Sequence, residues 1–166
     1  MNILVVYSSR TGNTKRVAEI IATTMGVEAV DVKTNPNYTS YDLVVAGYWV
    51  DRGGPNAEMK DYLQGITHKQ VALFATLGAD PASEHGKKSL ESGIAALGEG
   101  CTCVGTFICR GKVDPVLVEQ MKGRFPEGHP HAYTPEWLAR IDAAFPHPTI
   151  DDLEAAKSFA QELMTI

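Results

Sequence analysis

Ile3-Leu4-Val5-Val6-Tyr7-Ser8-Ser9-Arg10-Thr11-Gly12-Asn13-Thr14 is the stretch from which the fold is read. Its first part, Ile3 to Val6, is an unbroken apolar run. Side chains of a strand point to alternate faces, so such a run belongs to a strand covered on both, as in a parallel sheet. Ser8 to Asn13 is polar and contains one glycine, which predicts a tight loop. A helix follows. Val17, Ile20, Ile21 and Thr24 share one face of it, and Lys15, Arg16 and Glu19 lie off that face. Gly26 is placed to end the helix in the left-handed conformation.

The same alternation continues along the chain. Val27 to Val32 is a weaker strand, and its charges, Glu28 and Asp31, suit a sheet edge. Asp42 to Gly47 is a strongly apolar third strand. A loop holding Gly53-Gly54-Pro55 precedes a short helix with Met59, Tyr62, Leu63 and Ile66. Val71 to Thr76 is the fourth strand. A helix starts near Ser83 with Leu90, Ile94 and Leu97 inward, and Thr102 to Cys109 is the fifth strand. Val116 to Lys122 reads as a short helix after Pro115, and positions 123–133 as a proline-marked loop. Thr134-Pro135 reads as a helix cap followed by proline at the first helical position. Thr149 or Asp151 caps a last helix with Leu153, Ala156, Phe159, Ala160 and Leu163 on one face. Strands alternating with helices predict an α/β domain, a parallel sheet with helices on both sides. Its ligands bind beyond the carboxyl ends of the strands.

Composition narrows the class. The chain has 166 residues, which predicts one domain over positions 1–166, and no repeat, linker or low-complexity tract interrupts it. Hydrophobic residues make up 44% and charged residues 21%, as in a folded soluble protein. With 15 Lys plus Arg against 20 Asp plus Glu the net charge is -5, which speaks against nucleic-acid binding. No apolar run approaches the roughly 20 residues of a membrane helix. The opening run has no basic stretch before it and is too short for a secretion signal. Three cysteines, Cys101, Cys103 and Cys109, suggest reduced thiols in a cytoplasmic protein.

The loop between the first strand and helix carries the chemistry. A helix N-terminus bears about half a positive charge and free N–H donors, which suits an anion. Ser9, Thr11 and Thr14 add hydroxyl donors, and Gly12 permits close backbone approach. The nucleoside-triphosphate loop needs a glycine, four residues, then Gly-Lys-Ser/Thr, and that spacing is absent. The dinucleotide pattern Gly-x-Gly-x-x-Gly is absent as well. The loop therefore suits a terminal monophosphate, unless its hydroxyls only cap the helix.

Ser9-Arg10-Thr11-Gly12-Asn13-Thr14, at the end of a first strand, resembles the flavodoxin phosphate motif Thr/Ser-x-Thr-Gly-x-Thr. The resemblance implies a flavodoxin-like three-layer sandwich with a five-stranded parallel sheet of order 2-1-3-4-5. It implies noncovalent flavin mononucleotide (FMN), with Ser8 through Thr14 around the phosphate. More narrowly, the chain is similar to small flavodoxin-like proteins of anaerobic bacteria, some encoded beside flavin-dependent bilirubin reductases.

Two further loops gain roles from this resemblance. The one after the third strand would flank a face of the flavin ring, with Tyr48 and Trp49 as stacking candidates and Val50, Asp51 and Gly53 beside them. Gly53 and Gly54 would let a peptide rotate when the flavin N5 gains a proton. Thr76, Leu77, Gly78, Ala79 and Asp80 would turn backbone N–H groups to the pyrimidine edge. Two departures stand out. No aromatic residue occurs between Thr76 and Leu90, where many flavodoxins place a tyrosine, and His85 is the only ring in reach. Arg10 stands in a loop that in flavodoxins mostly lacks basic side chains; it meets either the phosphate or solvent.

No catalytic constellation accompanies the three loops. Cys101 and Cys103 would share one strand face, but two thiols without further ligands make a poor metal site. Cys109 is read as packing. His129, His131 and His147 are separated by prolines, and Trp137, Phe145 and Phe159 are read as core. The expected function is a monomeric FMN-binding electron carrier that docks transiently with redox proteins around the dimethylbenzene edge. The alternatives are an FMN-dependent quinone or nitro-compound reductase using NAD(P)H, and a binding module that has kept the fold without the flavin.

Overall fold

The structure, a computed structural model, describes residues 1–125, 128–129 and 134–166. In chain order its elements are β1 (Ile3–Tyr7), α1 (Asn13–Met25), β2 (Ala29–Asp31), a 3-10 turn (Val32–Thr34), β3 (Leu43–Asp51), β4 (Gly54–Pro55), α2 (Ala57–Gly65), β5 (Gln70–Leu77), α3 (Glu84–Ala95), β6 (Thr102–Arg110), α4 (Pro115–Arg124), α5 (Pro135–Ala144) and α6 (Ile150–Leu163).

Five parallel strands lie in the order β2-β1-β3-β5-β6. This is the expected 2-1-3-4-5 once the two-residue β4 is set aside. The five-stranded parallel sheet is as expected, and the short β4 adds a sixth strand that pairs antiparallel with the end of β3. The apolar run of β1 divides between two cores. Ile3, Val5 and Tyr7 face one, shared with α1 and α6, and Leu4 and Val6 face the other, shared with α2. Each fully buried Val, Leu or Ile contributes about 1.5–3 kcal/mol, which is why the central strands carry no polar interruption.

The helix ends follow local chemistry. Gly26 takes φ 72° and its N–H reaches the carbonyls of Ala22 and Thr23. Of the two proposed caps for α6, Thr149 is the one used: it forms a reciprocal capping box with Asp152. Thr134 accepts from the Trp137 N–H ahead of α5, with Pro135 first in the helix. α4 begins at Pro115 behind the Asp114 cap and continues to Arg124, so part of the stretch expected as loop is helical. Pro126, Glu127 and positions 130–133, His131 among them, lie outside the described residues.

Two expectations change for physical reasons. Of the expected Leu90, Ile94 and Leu97 on α3, the two leucines pack half-buried against the core shared with α2, but Ile94 does not. The fully buried face of the helix is Gly86, Ser89 and Gly93, and Ile94 is 41% exposed. A side chain on Gly93 would collide with the Tyr48 hydroxyl, so small residues let the helix approach the sheet closely. The third strand does not stop at Gly47. Pairing of Tyr48 with Ala75 and of Trp49 with Thr76 carries it on, and Val50 and Asp51 then pair with Pro55 and Gly54. The two-residue turn has both central residues at positive φ, Arg52 at 52° and Gly53 at 80°. Such a turn matches the twist of paired strands and favours Asn-Gly. Arg52→Asn is therefore expected to stabilise the fold by about 0.5–1 kcal/mol. A thermal melt should show a rise of about 1–4 °C.

Candidate functional site

The carboxyl ends of β1, β3, β5 and β6 open onto a cleft of about 230 Å³. Four segments line it. Ser9, Arg10, Thr11, Asn13 and Thr14 come from the β1–α1 loop, and Trp49, Val50 and Asp51 from the end of β3. Thr76, Leu77 and Gly78 come from the end of β5, and Gly111, Lys112, Val113, Asp114 and Leu117 from the segment after β6.

The first loop is held rigidly. Ser9 Oγ accepts the Gly12 N–H at 3.1 Å, and Gly12 takes φ 99°. The Thr14 and Thr76 hydroxyl oxygens lie 2.9 Å apart in a buried hydrogen bond that joins the loop to β5. α1 starts on Gly12 with no side-chain cap and no acidic residue in its first turn, whereas α3 to α6 each start on a side-chain cap. The alternative, that the loop hydroxyls only cap the helix, is thus not met. Donors that a cap would satisfy stay available to an anion in the cleft.

The remaining wall is tied to this loop. Asn13 Nδ2 donates to the Lys112 carbonyl at 2.8 Å, and the Gly111 N–H donates to the Leu77 carbonyl at 2.8 Å. A Cβ on Gly111 would stand 2.9 Å from Asn13 Nδ2, so the segment passes close against the Asn13 side chain. The Lys112 N–H donates to the His147 carbonyl at 2.9 Å. His147 Nδ1 in turn meets Asp152 Oδ2 at 2.5 Å.

The predicted residues are not all brought together. Of the two stacking candidates, Trp49 lines the cleft and Tyr48 does not. Tyr48 is fully buried and donates to the Ser89 carbonyl at 2.9 Å, and burial holds its phenol well above the usual range. Arg10 is exposed, and its guanidinium carbon lies 5.7 Å from the Trp49 ring centroid, a cation–π contact. Ser8 is buried, and its hydroxyl accepts from Asn56 Nδ2 at 2.8 Å and donates to Glu58 at 3.2 Å. Gly53 sits in the hairpin turn near His85, and neither residue is on the cleft lining. Ala79 lines a neighbouring groove, and the Asp80 carboxylate accepts from the Ala82 N–H at 2.9 Å.

The segment Gly111 to Leu117 was missed. Its signal was available in the strand order, which sets the fifth strand beside the fourth, so both release their loops at the same edge. Phe145, expected in the core, is 62% exposed, and the Lys112 ammonium stands 4.2 Å from its ring centroid. Phe159 is buried as expected. Cys109 is buried, and desolvation, with Asp152 adding to it, pushes its thiol up to about 12. It is no nucleophile near neutral pH. Among the described residues no group of three or more His, Cys, Asp or Glu is placed to hold a metal, and no helix is long and apolar enough to cross a membrane.

Comparison with known proteins agrees with this fold. The chain is 31% identical over 171 residues to the flavodoxin-like domain-containing protein BilS of Clostridioides difficile, covering 99% of this chain and 97% of that one. It is 24% identical to the BilS protein of Clostridium symbiosum, covering 96% and 94%. The crystal structure of oxidised flavodoxin 1 from Bacillus cereus shares the fold at a TM-score of 0.57 and 16% identity, covering 99% and 98%. The family model of the flavodoxin domain matches residues 4–161, and the chain belongs to the flavodoxin domain family.

Proposed function

We propose that this chain binds FMN and passes electrons between redox proteins. The observation that carries the reading is the uncapped N-terminus of α1 behind a hydroxyl-rich loop, facing a cleft with an aromatic wall. When bound, FMN supplies the one- and two-electron chemistry. The hydroxyls of Ser9, Thr11 and Thr14 and the first amides of α1 would hold its phosphate by donation. Trp49 offers a ring face for the isoalloxazine. Backbone groups from Thr76 to Gly78 offer polar contacts, and Val113 and Leu117 exclude water from the far wall. Among the described residues lining the cleft, none forms an acid–base or nucleophile pair, which favours a carrier over a catalyst. Reduced thiols and the chain's charge fit a monomer in the cytoplasm that docks transiently with its partners.

Adding FMN to flavin-free protein is expected to perturb the flavin absorbance bands and quench its fluorescence at one equivalent. An unchanged free-flavin spectrum would exclude FMN binding. A rival reading, an NAD(P)H-dependent quinone or nitro-compound reductase, draws on a second groove that opens beside the cleft. Rapid NADH or NADPH oxidation by the flavin-loaded chain, without a separate reductase, decides for that rival. Slow oxidation decides for the carrier.

A further inference from the structure

A second cavity of about 250 Å³ lies between α4, α5 and the turn after β5, and it shares Val113 and Leu117 with the cofactor cleft. Met121, Trp137 and Ile141 give it an apolar lining, and Met121 is 37% exposed. Among the described residues of that lining, Arg140 is the one that carries a charge. Among the described residues the Arg140 guanidinium has no ion pair or hydrogen bond, although Glu136 stands one helical turn before it. The volume approaches that of a small-molecule site, and such sites combine apolar walls with a few placed polar groups. A lone guanidinium beside an apolar wall selects for an acid, because its planar fork matches a carboxylate.

We propose that this groove binds a flat apolar acid, its ring system against Met121, Trp137 and Ile141 and its anionic group on Arg140. The pocket stands without the cofactor. That its ligand would lie against the flavin, across Val113 and Leu117, rests on the FMN reading above. The groove then places its ligand beside the cofactor.

Calorimetric titration of the FMN-loaded protein with 2-naphthoate tests this, with 2-naphthamide as the uncharged comparator. Naphthoate is expected to bind at one equivalent and at least fivefold more tightly than the amide. Arg140→Gln should abolish that preference. Met121→Glu should weaken naphthoate at least tenfold, and more than it weakens the amide. Lys122→Gln, an exposed charge removal off the lining, should behave as the parent. Both groove positions are exposed, and a thermal melt confirms that each variant folds. No saturable binding overturns the proposal, as does a preference for the acid that survives in Arg140→Gln. Naphthoate binding that FMN competes away places the probe in the cofactor cleft and also overturns it. If the chain takes up no FMN, the same titration on the flavin-free protein still decides, because its dependence on Arg140 is independent of the flavin.

Discussion

Thr11→Glu is expected to lower FMN affinity more than a hundredfold while the flavin-free protein keeps its melting temperature to within about 2 °C. Thr11 is exposed on the loop ahead of α1 and lines the cleft, so no packing is lost on substitution. Exposed substitutions away from special features usually shift stability by less than about 0.5 kcal/mol. A glutamate here also lies near the positive end of the helix, which favours it in the empty protein. The same carboxylate stands where the loop would receive a phosphate. Two unit charges about 4 Å apart repel by about 4 kcal/mol at an effective dielectric near 20, and a hundredfold loss needs only about 2.7 kcal/mol. Thr11→Gln keeps the size and removes the charge, so it should lose less than about tenfold, the loss of one neutral hydrogen bond. Flavin fluorescence titration reads both variants. Equal affinity in Thr11→Glu and the parent would mean that the loop does not grip the phosphate.

What the sequence made legible was the frame of the site rather than its wiring. The apolar run of Ile3 to Val6 announced a strand buried on two faces because period-2 alternation was missing. Both core clusters take alternate residues from it. Gly26 announced the end of α1, and Thr149 or Asp151 the start of α6, because glycine favours the left-handed cap and short polar side chains satisfy the first amides. Arg10 was ambiguous for a real reason. A single sequence places it in the loop, but its partner is Trp49 from the neighbouring strand β3, distant along the chain. Tyr48 and Trp49 are neighbours with similar side chains. Which one reaches the cleft depends on β3 continuing past Gly47, since strand alternation then turns adjacent residues to opposite faces. The length of that strand is decided by β5 and β4, not by its own residues. Ile94 failed as a core residue because helical spacing reports a stripe and not its depth. The closeness of α3 to Tyr48 moves burial onto Gly86, Ser89 and Gly93. The Gly111 to Leu117 wall carries no motif of its own; a backbone hydrogen bond from Gly111 to Leu77 and one from the Asn13 side chain to the Lys112 carbonyl fasten it to the site.

Gly47→Ala should be among the most damaging single methyl additions in the chain, costing about 3 kcal/mol or more. Gly47 pairs with Tyr7 on one side and with Phe74 on the other, in the middle of the sheet. A Cβ there would overlap Phe74 Cζ and Cε2 and come within 2.6 Å of Cε1. The Phe74 ring thus fills the space that the glycine leaves open. Phe74 is fully buried in the core shared with α1 and α6, so its ring has nowhere to withdraw without displacing neighbours. A loss of this size lowers the melting temperature by about 6–12 °C for a domain of this length. The damage should reach the site as well, because the Gly47 carbonyl accepts the Ser8 N–H at 2.9 Å, at the point where the phosphate loop leaves β1. Phe74→Leu removes much of the ring, and alone it is destabilising through the cavity it opens. Combined with Gly47→Ala, it gives the new methyl that space. The double variant is therefore expected to be more stable than the sum of the two single losses predicts, by at least about 1 kcal/mol of coupling. Strictly additive melts would show that the glycine is required for something other than the ring lying across it.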